Sequence, residues 1–322
     1  MEIQTRMKIL FISPRFEGGI GGHAARLAKK LGEEGIEIKL MNPTHIPIKK
    51  LKNPSFAFFS TLKAIFKNES FDIVHAFNLP SAFAMRYSKS KKKILSIHGV
   101  YSEQIGKLHS KTTTIAVTSA ESKLLKWADK LTTDSKTVQK QYKEKLDLDF
   151  ECLYAPLEIE KFETIPDVPK KENQVVYIGR DSYEKGIDIL KEIESEINGN
   201  VIYCTNLSWN DAMIHLKESS ILVVPSRMES IPQVIKEAFF LKIPVIATKV
   251  GGIPEIITDK INGILISPNN PKELLKEINM LLKNKELSNN LSDQGYDYVL
   301  KNFTWKVLLP KYIEFYQKLI KN

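Results

Sequence analysis

The chain is poor in cysteine: Cys152 and Cys204 are its only two in 322 residues, and they lie far apart. That excludes a disulfide framework and a cysteine-rich metal centre, and both read as reduced core residues of a cytoplasmic protein. Long apolar runs are also lacking. No window approaches the roughly 18 uninterrupted apolar residues of a membrane span. The opening MEIQTRMKILFIS has no apolar h-region or small-residue cleavage site, so a secretory signal is not expected. It reads as a short leader before a strand, with Met7 an alternative start. Acid is scarce in the first half alone. Residues 1–168 carry 27 Lys and Arg against 19 Asp and Glu, and the remainder 20 against 19. Such asymmetry points to an anionic partner on the first half. No zinc-finger spacing or RNA-binding aromatic motif accompanies it, so nucleic acid is not an expected partner. The basic run Lys89, Lys91, Lys92, Lys93 reads as a solvated helix end.

What is present is an alternation of short apolar runs and amphipathic stretches. KILFIS (residues 8–13) leads through a glycine loop to a helix with Ala24, Leu27, Ala28 and Leu31 on one face, then to IEIKLMN (36–42), a βαβ unit. FDIVHAFN (71–78), KILSIHG (93–99), KLTTDS (130–135) and ECLYAP (151–156) continue the series. Between Asn53 and Asn68, Phe56, Phe59, Leu62 and Phe66 recur at helical spacing, which predicts a helix facing the core. The proline-bearing IPDVPKKEN (165–173) interrupts the pattern and marks the boundary between a first domain, 1–168, and a second, 169–322. Five strands are expected after it: QVVYIG (174–179), NVIYCT (200–205), ILVVPS (221–226), PVIATKV (244–250) and GILISP (263–268). Helices over about 271–284, 286–301 and 305–320 close the chain. The fold class is α/β, with two Rossmann-like parallel sheets facing a cleft.

Within MESIPQVIKEAFFLKIPVIATKVGGIPEI, Glu229 and Glu237 stand eight positions apart. Ser230 and Gln233 have the form of a capping box and Pro232 suits a first turn, so a helix is expected from about Ile231 to Leu241. One carboxylate then lies just outside the helix and the other two turns in. They are too far apart to share a surface spot and are able to reach two parts of one elongated ligand. The bland alternative is a dipole-favouring Glu229 and a solvated Glu237.

These residues, with GGIGGHAARLAKKL (18–31), IHG (97–99), IGRDSYEKG (178–186), PSRMESIPQVIKEA (225–238), PVIATKVGGIPE (244–255) and FTWKVLLPKYIEFY (303–316), resemble the retaining glycosyltransferases of family 4, of the GT-B fold. The resemblance implies a hexosyltransferase-like enzyme with a nucleotide diphosphate sugar as donor, no metal cofactor, and a last helix that crosses back to the first domain. It implies that Glu229 contacts the transferred sugar and Glu237 the ribose, as ionised carboxylates accept from vicinal hydroxyls. Arg180 and Lys185 would clamp the diphosphate and stabilise the charge that grows on it. His98 would contact the donor sugar. Gly18 and Gly19 would form the loop that closes over the donor, and Ser230, Ile231, Gly251 and Gly252 complete the expected substrate-binding set. His23 is a weaker candidate; His45, His75, His109 and His215 have no comparable support.

The chain also departs from the family. Tyr154, Ala155, Pro156, Leu157 and Glu158 stand where members often carry an Asn-Gly turn before an acid, and the stretch from Ile197 to Trp209 is short by one strand–helix unit. These departures motivate a rival reading, a non-catalytic subunit that binds a sugar nucleotide or a partner. A dinucleotide-dependent oxidoreductase is the weaker rival: Gly19 to Ala24 fits G-x-G-x-x-A, but the loop before it is long and the second strand ends without a ribose-binding acid. Asp147 and Asp149 imitate a metal-binding D-x-D with no other ligand in view. Lys49, Lys50 and Lys52, ahead of the amphipathic stretch, extend the expected partners to an anionic membrane surface or a lipid-linked acceptor, for a protein peripheral to the membrane's cytoplasmic face.

Overall fold

The structure, a computed structural model, describes residues 7–43, 46, 48, 51–99 and 121–321. Lys49, Lys50, His45 and His109 lie outside these. The chain divides into two compact units, Met1–Ala155 with Leu309–Asn322, and Pro156–Leu308.

The first unit is built on a parallel sheet in the order β2-β1-β3-β4-β5-β6. Its strands are β1 (Lys8–Ile12), β2 (Glu37–Met41), β3 (Ser70–Phe77), β4 (Lys89–Ser96), β5 (Lys130–Thr133) and β6 (Phe150–Cys152). The central strands are near-continuous apolar runs because helices cover both faces of a parallel sheet. Ile9, Leu10, Phe11, Ile12, Ile73, Val74 and Ala76 are all fully buried. Helix α1 (Gly19–Glu33) buries the stripe of Ala24, Leu27, Ala28 and Leu31.

The last helix, Trp305–Lys321, joins this unit from Leu309 onward. Two buried tyrosines fasten it. The Tyr316 hydroxyl lies 2.8 Å from His75 Nδ1, whose Nε2 is 2.6 Å from Ser96 Oγ. Tyr312 donates to the carbonyls of Leu153 and Tyr154 at 3.1 Å and lies 3.1 Å from His23 Nε2. Burial pushes both phenols well above their ordinary pKa, so they stay neutral donors.

The second unit carries a parallel sheet in the order β11-β10-β9-β7-β8. Its strands are β7 (Gln174–Ile178), β8 (Asn200–Cys204), β9 (Ile221–Val224), β10 (Val245–Thr248) and β11 (Ile264–Ile266). Helices Pro271–Lys283 and Lys285–Asn302 follow.

Four expectations are corrected. First, the units divide at Ala155/Pro156, ahead of the 165–173 segment. Leu157 N–H donates to the Phe303 carbonyl at 2.6 Å, and Phe162 packs on Trp209 and Phe240, so residues 156–168 belong to the second unit. Second, Lys89, Lys91, Lys92 and Lys93 open strand β4 instead of ending a helix. Their register against β3 sets Lys91 2.8 Å from Asp72, a cross-strand ion pair that helps hold them in the sheet.

Third, helix α2 (Lys52–Phe66) packs through Phe56, Ser60 and Ala64, while Phe59, Leu62 and Phe66 are exposed. Small residues on its inner side let it lie against the helix α3 (Ala82–Tyr87), which buries Ala82, Ala84 and Met85. Fourth, the helix bearing Glu237 spans Gln233–Phe240, with an extended Pro232 at its N-cap. The residue before a proline is disfavoured in the helical region, so Ile231 stays outside. Ser230 meanwhile gives its carbonyl to Gly252 N–H at 2.8 Å.

Candidate active site

In an open parallel sheet, ligands bind at the carboxyl ends of strands where the strand order reverses. The second sheet reverses between β7 and β9, and a cavity of about 170 Å³ lies there. Tyr177 and Ile178 from β7, Val224 from β9 and Ser226 just past it, and Pro232, Gln233 and Val234 from the helix start line it, together with Lys185 and Glu229.

Backbone geometry brings Lys185 and Glu229 together across 44 residues of sequence. After β7 the chain makes a 3₁₀ turn, Tyr183–Lys185, closed by Gly186 at φ +66°. A Cβ on Gly186 would stand 2.0 Å from the Pro225 carbonyl oxygen, so only glycine admits this contact. Arg227 locks the opposing loop. Its guanidinium forks onto both oxygens of Asp188 at 2.7 Å and stacks on Tyr183, and the Arg227 backbone N–H donates to the Glu184 carbonyl. From the other side Gly251, at φ +52°, presses on Glu229, where a Cβ would lie 1.8 Å from the carbonyl oxygen.

Within this frame the Lys185 ammonium donates to Glu229 Oε1, and Ser226 Oγ donates to the same oxygen at 3.0 Å. The two charged side chains are 23% and 10% exposed. Tyr177 donates to the Arg180 carbonyl at 2.7 Å, and burial first, then the Glu229 charge, hold its phenol well above the ordinary value. It remains a neutral donor that fixes the turn after β7.

The other expected residues of this unit stand apart. Arg180 is 72% exposed and pairs with Glu184 at 3.0 Å. Glu237, further along the helix, accepts from the Trp209 indole N–H at 2.8 Å. Phe162 and Lys161 flank that indole.

The first sheet reverses between β1 and β3, and a cavity of about 260 Å³ lies at that point. Its lining includes Arg15, Gly18 and Gly21 from the glycine loop, Lys52 and Asn78. Gly18 caps α1 at φ +55°, and Gly19 follows at φ +35° with open space where a Cβ would go. His98, at the end of β4, lies 3.2 Å through Nδ1 from the buried Asp134 at the end of β5. The His23 ring stands 6.2 Å from the His98 ring. The expected metal mimic is spoken for: Lys143 holds Asp147 at 2.7 Å and Asp149 at 3.1 Å.

Sequence reasoning passed over Ser226, Arg227, Trp209 and Asp134. A usable signal existed for two of them, since Ser226 and Asp134 directly follow apolar strands, at the ends where α/β sheets carry ligand-facing groups.

Two family models match the chain, Glycosyltransferase Family 4 over residues 17–154 and Glycosyl transferases group 1 over 191–298. The chain belongs to the family 4 glycosyltransferases. Gly18, Gly19 and His98 fall in the first match and Glu229, Glu237, Gly251 and Gly252 in the second, whereas Arg180 and Lys185 lie between them. An uncharacterized glycosyltransferase of Methanocaldococcus jannaschii is 27% identical, over 97% of this chain and 99% of its own. Sucrose-phosphate synthase of Thermosynechococcus elongatus superposes with a TM-score of 0.79 at 17% identity, covering 98% of this glycosyltransferase and all of that chain. Anabaena HepE, solved with UDP and glucose, superposes at 0.72 and 16% identity, over 97% and 100% of the two chains. These likenesses establish the GT-B fold, two Rossmann-like α/β domains.

Proposed function

We propose that this glycosyltransferase moves a hexosyl group, with retention of configuration, from a nucleotide diphosphate sugar to an anionic or lipid-linked acceptor at the cytoplasmic face of a membrane. The observation that carries the donor reading is the cluster of Lys185, Glu229 and Ser226 beside the start of the Gln233–Phe240 helix. The first-turn N–H groups of a helix have no intrahelical acceptor and, with the dipole, favour an anion. HepE, of the same fold, holds UDP and glucose, which supports the donor class.

In this reading Lys185 neutralises Glu229 until the donor arrives. The diphosphate then competes for the ammonium and releases Glu229 to accept from the sugar hydroxyls. Glu237 takes the ribose, and the glycine loop of Gly18 and Gly19 approaches the donor through bare backbone. Asp134 holds His98 through Nδ1 and leaves Nε2 as the nitrogen for a sugar hydroxyl. As the bond from C1 to the phosphate oxygen breaks, negative charge grows on the diphosphate. Lys185 and the helix N–H groups stabilise that growth more than they stabilise the ground state. The acceptor oxygen bonds to C1 on the same face, and its proton passes to the departing phosphate. Arg180 joins only after leaving Glu184.

No metal enters this scheme, and turnover is expected to persist in excess chelator. Loss restored by magnesium or manganese would move the charge neutralisation to a metal.

The decisive variant is Lys185→Ala. Loss of one preorganised charge partner should lower kcat by about 10² to 10³, with Arg180→Ala costing less because Arg180 is exposed. Wild-type turnover in Lys185→Ala overturns the donor-site reading. An α-linked donor should give an α-glycoside by NMR; a β product overturns retention.

A further inference from the structure

Helix α2 turns its apolar side outward. Phe58, Phe59, Leu62, Ile65 and Phe66 recur at i, i+1, i+4, i+7 and i+8, which gathers them within an arc of roughly 120°. All five are exposed, Phe58 by 60% and Phe66 by 81%, and Leu51, one heptad before Phe58, is exposed as well. A single exposed leucine means little, but a contiguous stripe of large apolar side chains marks a contact surface.

The charge around the stripe names the contact. Between Glu37 and Glu69 the chain has no acid, and the described residues there include Lys39, Lys52, Lys63 and Lys67. Further lysines gather where α2 ends. Lys8 and Lys67 reach Glu69 at 2.7 and 3.2 Å, and Lys39 also pairs with it. Lys89 donates to Asn68 and Lys91 pairs with Asp72, each at 2.8 Å. Five lysines thus gather about three carboxylates, Glu37, Glu69 and Asp72. Glu69 stays ionised far into acid, its pKa held at about 2 by Lys39 first and then Lys8. A second copy of this chain would bring the same positive rim against itself, because a two-fold contact pairs identical patches. A nucleic acid would leave the stripe in water. An anionic bilayer accepts both, with apolar side chains below the headgroups and lysines among the phosphates.

We propose that the outer face of α2, with the lysines that border it, docks the protein on an anionic lipid surface. This deepens the acceptor reading above and rests on it for its purpose. Its measurement needs no glycosyl transfer. The full chain should co-sediment with vesicles of phosphatidylcholine and phosphatidylglycerol, and not with phosphatidylcholine alone. Raising salt from about 0.1 to about 0.5 M should release it. The triple variant Phe58→Ser, Phe59→Ser, Phe66→Ser should lower the partition coefficient at least about tenfold. Lys63→Glu with Lys89→Glu should lower it by at least about fivefold for each lysine. A thermal midpoint equal to wild type in the lysine variant shows that its loss of binding is not unfolding. Equal pelleting with neutral vesicles overturns the proposal. So does wild-type recovery of a folded triple variant, or a dimer by light scattering that the triple variant dissociates while neither protein pellets. Vesicle binding without transfer to any lipid-linked acceptor would leave the docking face standing and remove the acceptor reading.

Discussion

The two switch-point regions are held in different ways. In the second unit two tight glycine contacts set the frame, with the Arg227–Asp188 fork beside them: Gly186 lies on the Pro225 carbonyl and Gly251 on the Glu229 carbonyl, each at a positive φ that fits glycine. The first unit relies on buried polar side chains, with His75, His98 and His23 tied to Tyr316, Asp134 and Tyr312. Its glycine loop is mixed: Gly19 has nothing within 4 Å at the Cβ position, whereas a Cβ on Gly21 would stand 2.1 Å from the Arg15 carbonyl oxygen. A frame of carbonyl contacts has no proton to lose, so pH leaves it alone and one methyl group breaks it. The first unit tolerates a methyl group at Gly19, and through its buried His75 it yields to acid.

The sharpest test pairs two identical substitutions. Gly251→Ala puts a Cβ 1.8 Å from a carbonyl oxygen in a left-handed conformation that alone costs about 1–2 kcal/mol. With the clash added, the thermal midpoint should fall by several degrees, and turnover should collapse because Glu229 moves with its carbonyl. Gly19→Ala meets open space and should cost only about 1 kcal/mol. Equal losses in the two variants, read by urea unfolding, would erase the contrast.

The second test uses pH on the first unit. His75 is fully buried, facing Tyr316, Ser96 and the nearby His98, and burial chiefly, with the His98 charge, lowers its pKa to about 3. The unfolded chain binds this proton near pH 6.5 and the folded chain does not. The group's stabilisation is therefore complete above about pH 6.5 and is lost as pH falls toward 3. Between about pH 6.5 and 5, where carboxylates of the unfolded chain are still ionised, the loss should be about 2 kcal/mol. In His75→Gln that slope should flatten, though stability at neutral pH drops as the bonds to Tyr316 and Ser96 weaken. An unchanged slope would mean that another group carries the acid response.

Much of this contrast was legible before any coordinates. Buried parallel strands announce themselves as apolar runs, and the paired glycines after β1 and β10 mark where the backbone must do something unusual. Glu229 and Lys185 were both singled out, yet their direct pairing was not, because nothing in a linear chain relates residues 44 apart. Periodicity was blind in another way. Phe56, Phe59, Leu62 and Phe66 at helical spacing declare an apolar face without saying whether protein covers it, and the structure buries only the first. The lysines of β4 misled because a strand that opens on Lys89, Lys91, Lys92 and Lys93 carries its reason in its neighbour, Asp72 on β3. Phe162 likewise moved the unit boundary through partners that lie 47 and 78 positions away, Trp209 and Phe240.

The smallest expected effect probes a side-chain hold in the second unit, the indole on Glu237. Trp209→Phe keeps a ring for Phe162 to pack against and removes the N–H that donates to Glu237 Oε1. A hydrogen bond to a partly exposed carboxylate contributes about 1 kcal/mol here, so unfolding should shift little. A carboxylate has a second oxygen, so Trp209 and a ribose can be held together, the indole aiming the group that the ribose meets. The donor KM should then rise by up to about tenfold with kcat nearly unchanged, the pattern of a lost contact made equally in the ground and transition states. Glu237→Gln should raise KM further. If Trp209→Phe leaves KM alone while Glu237→Gln raises it, Glu237 needs no aiming and the indole is packing only. If both leave KM alone, Glu237 does not hold the ribose, and the second unit's donor contacts reduce to the glycine-framed Lys185 and Glu229.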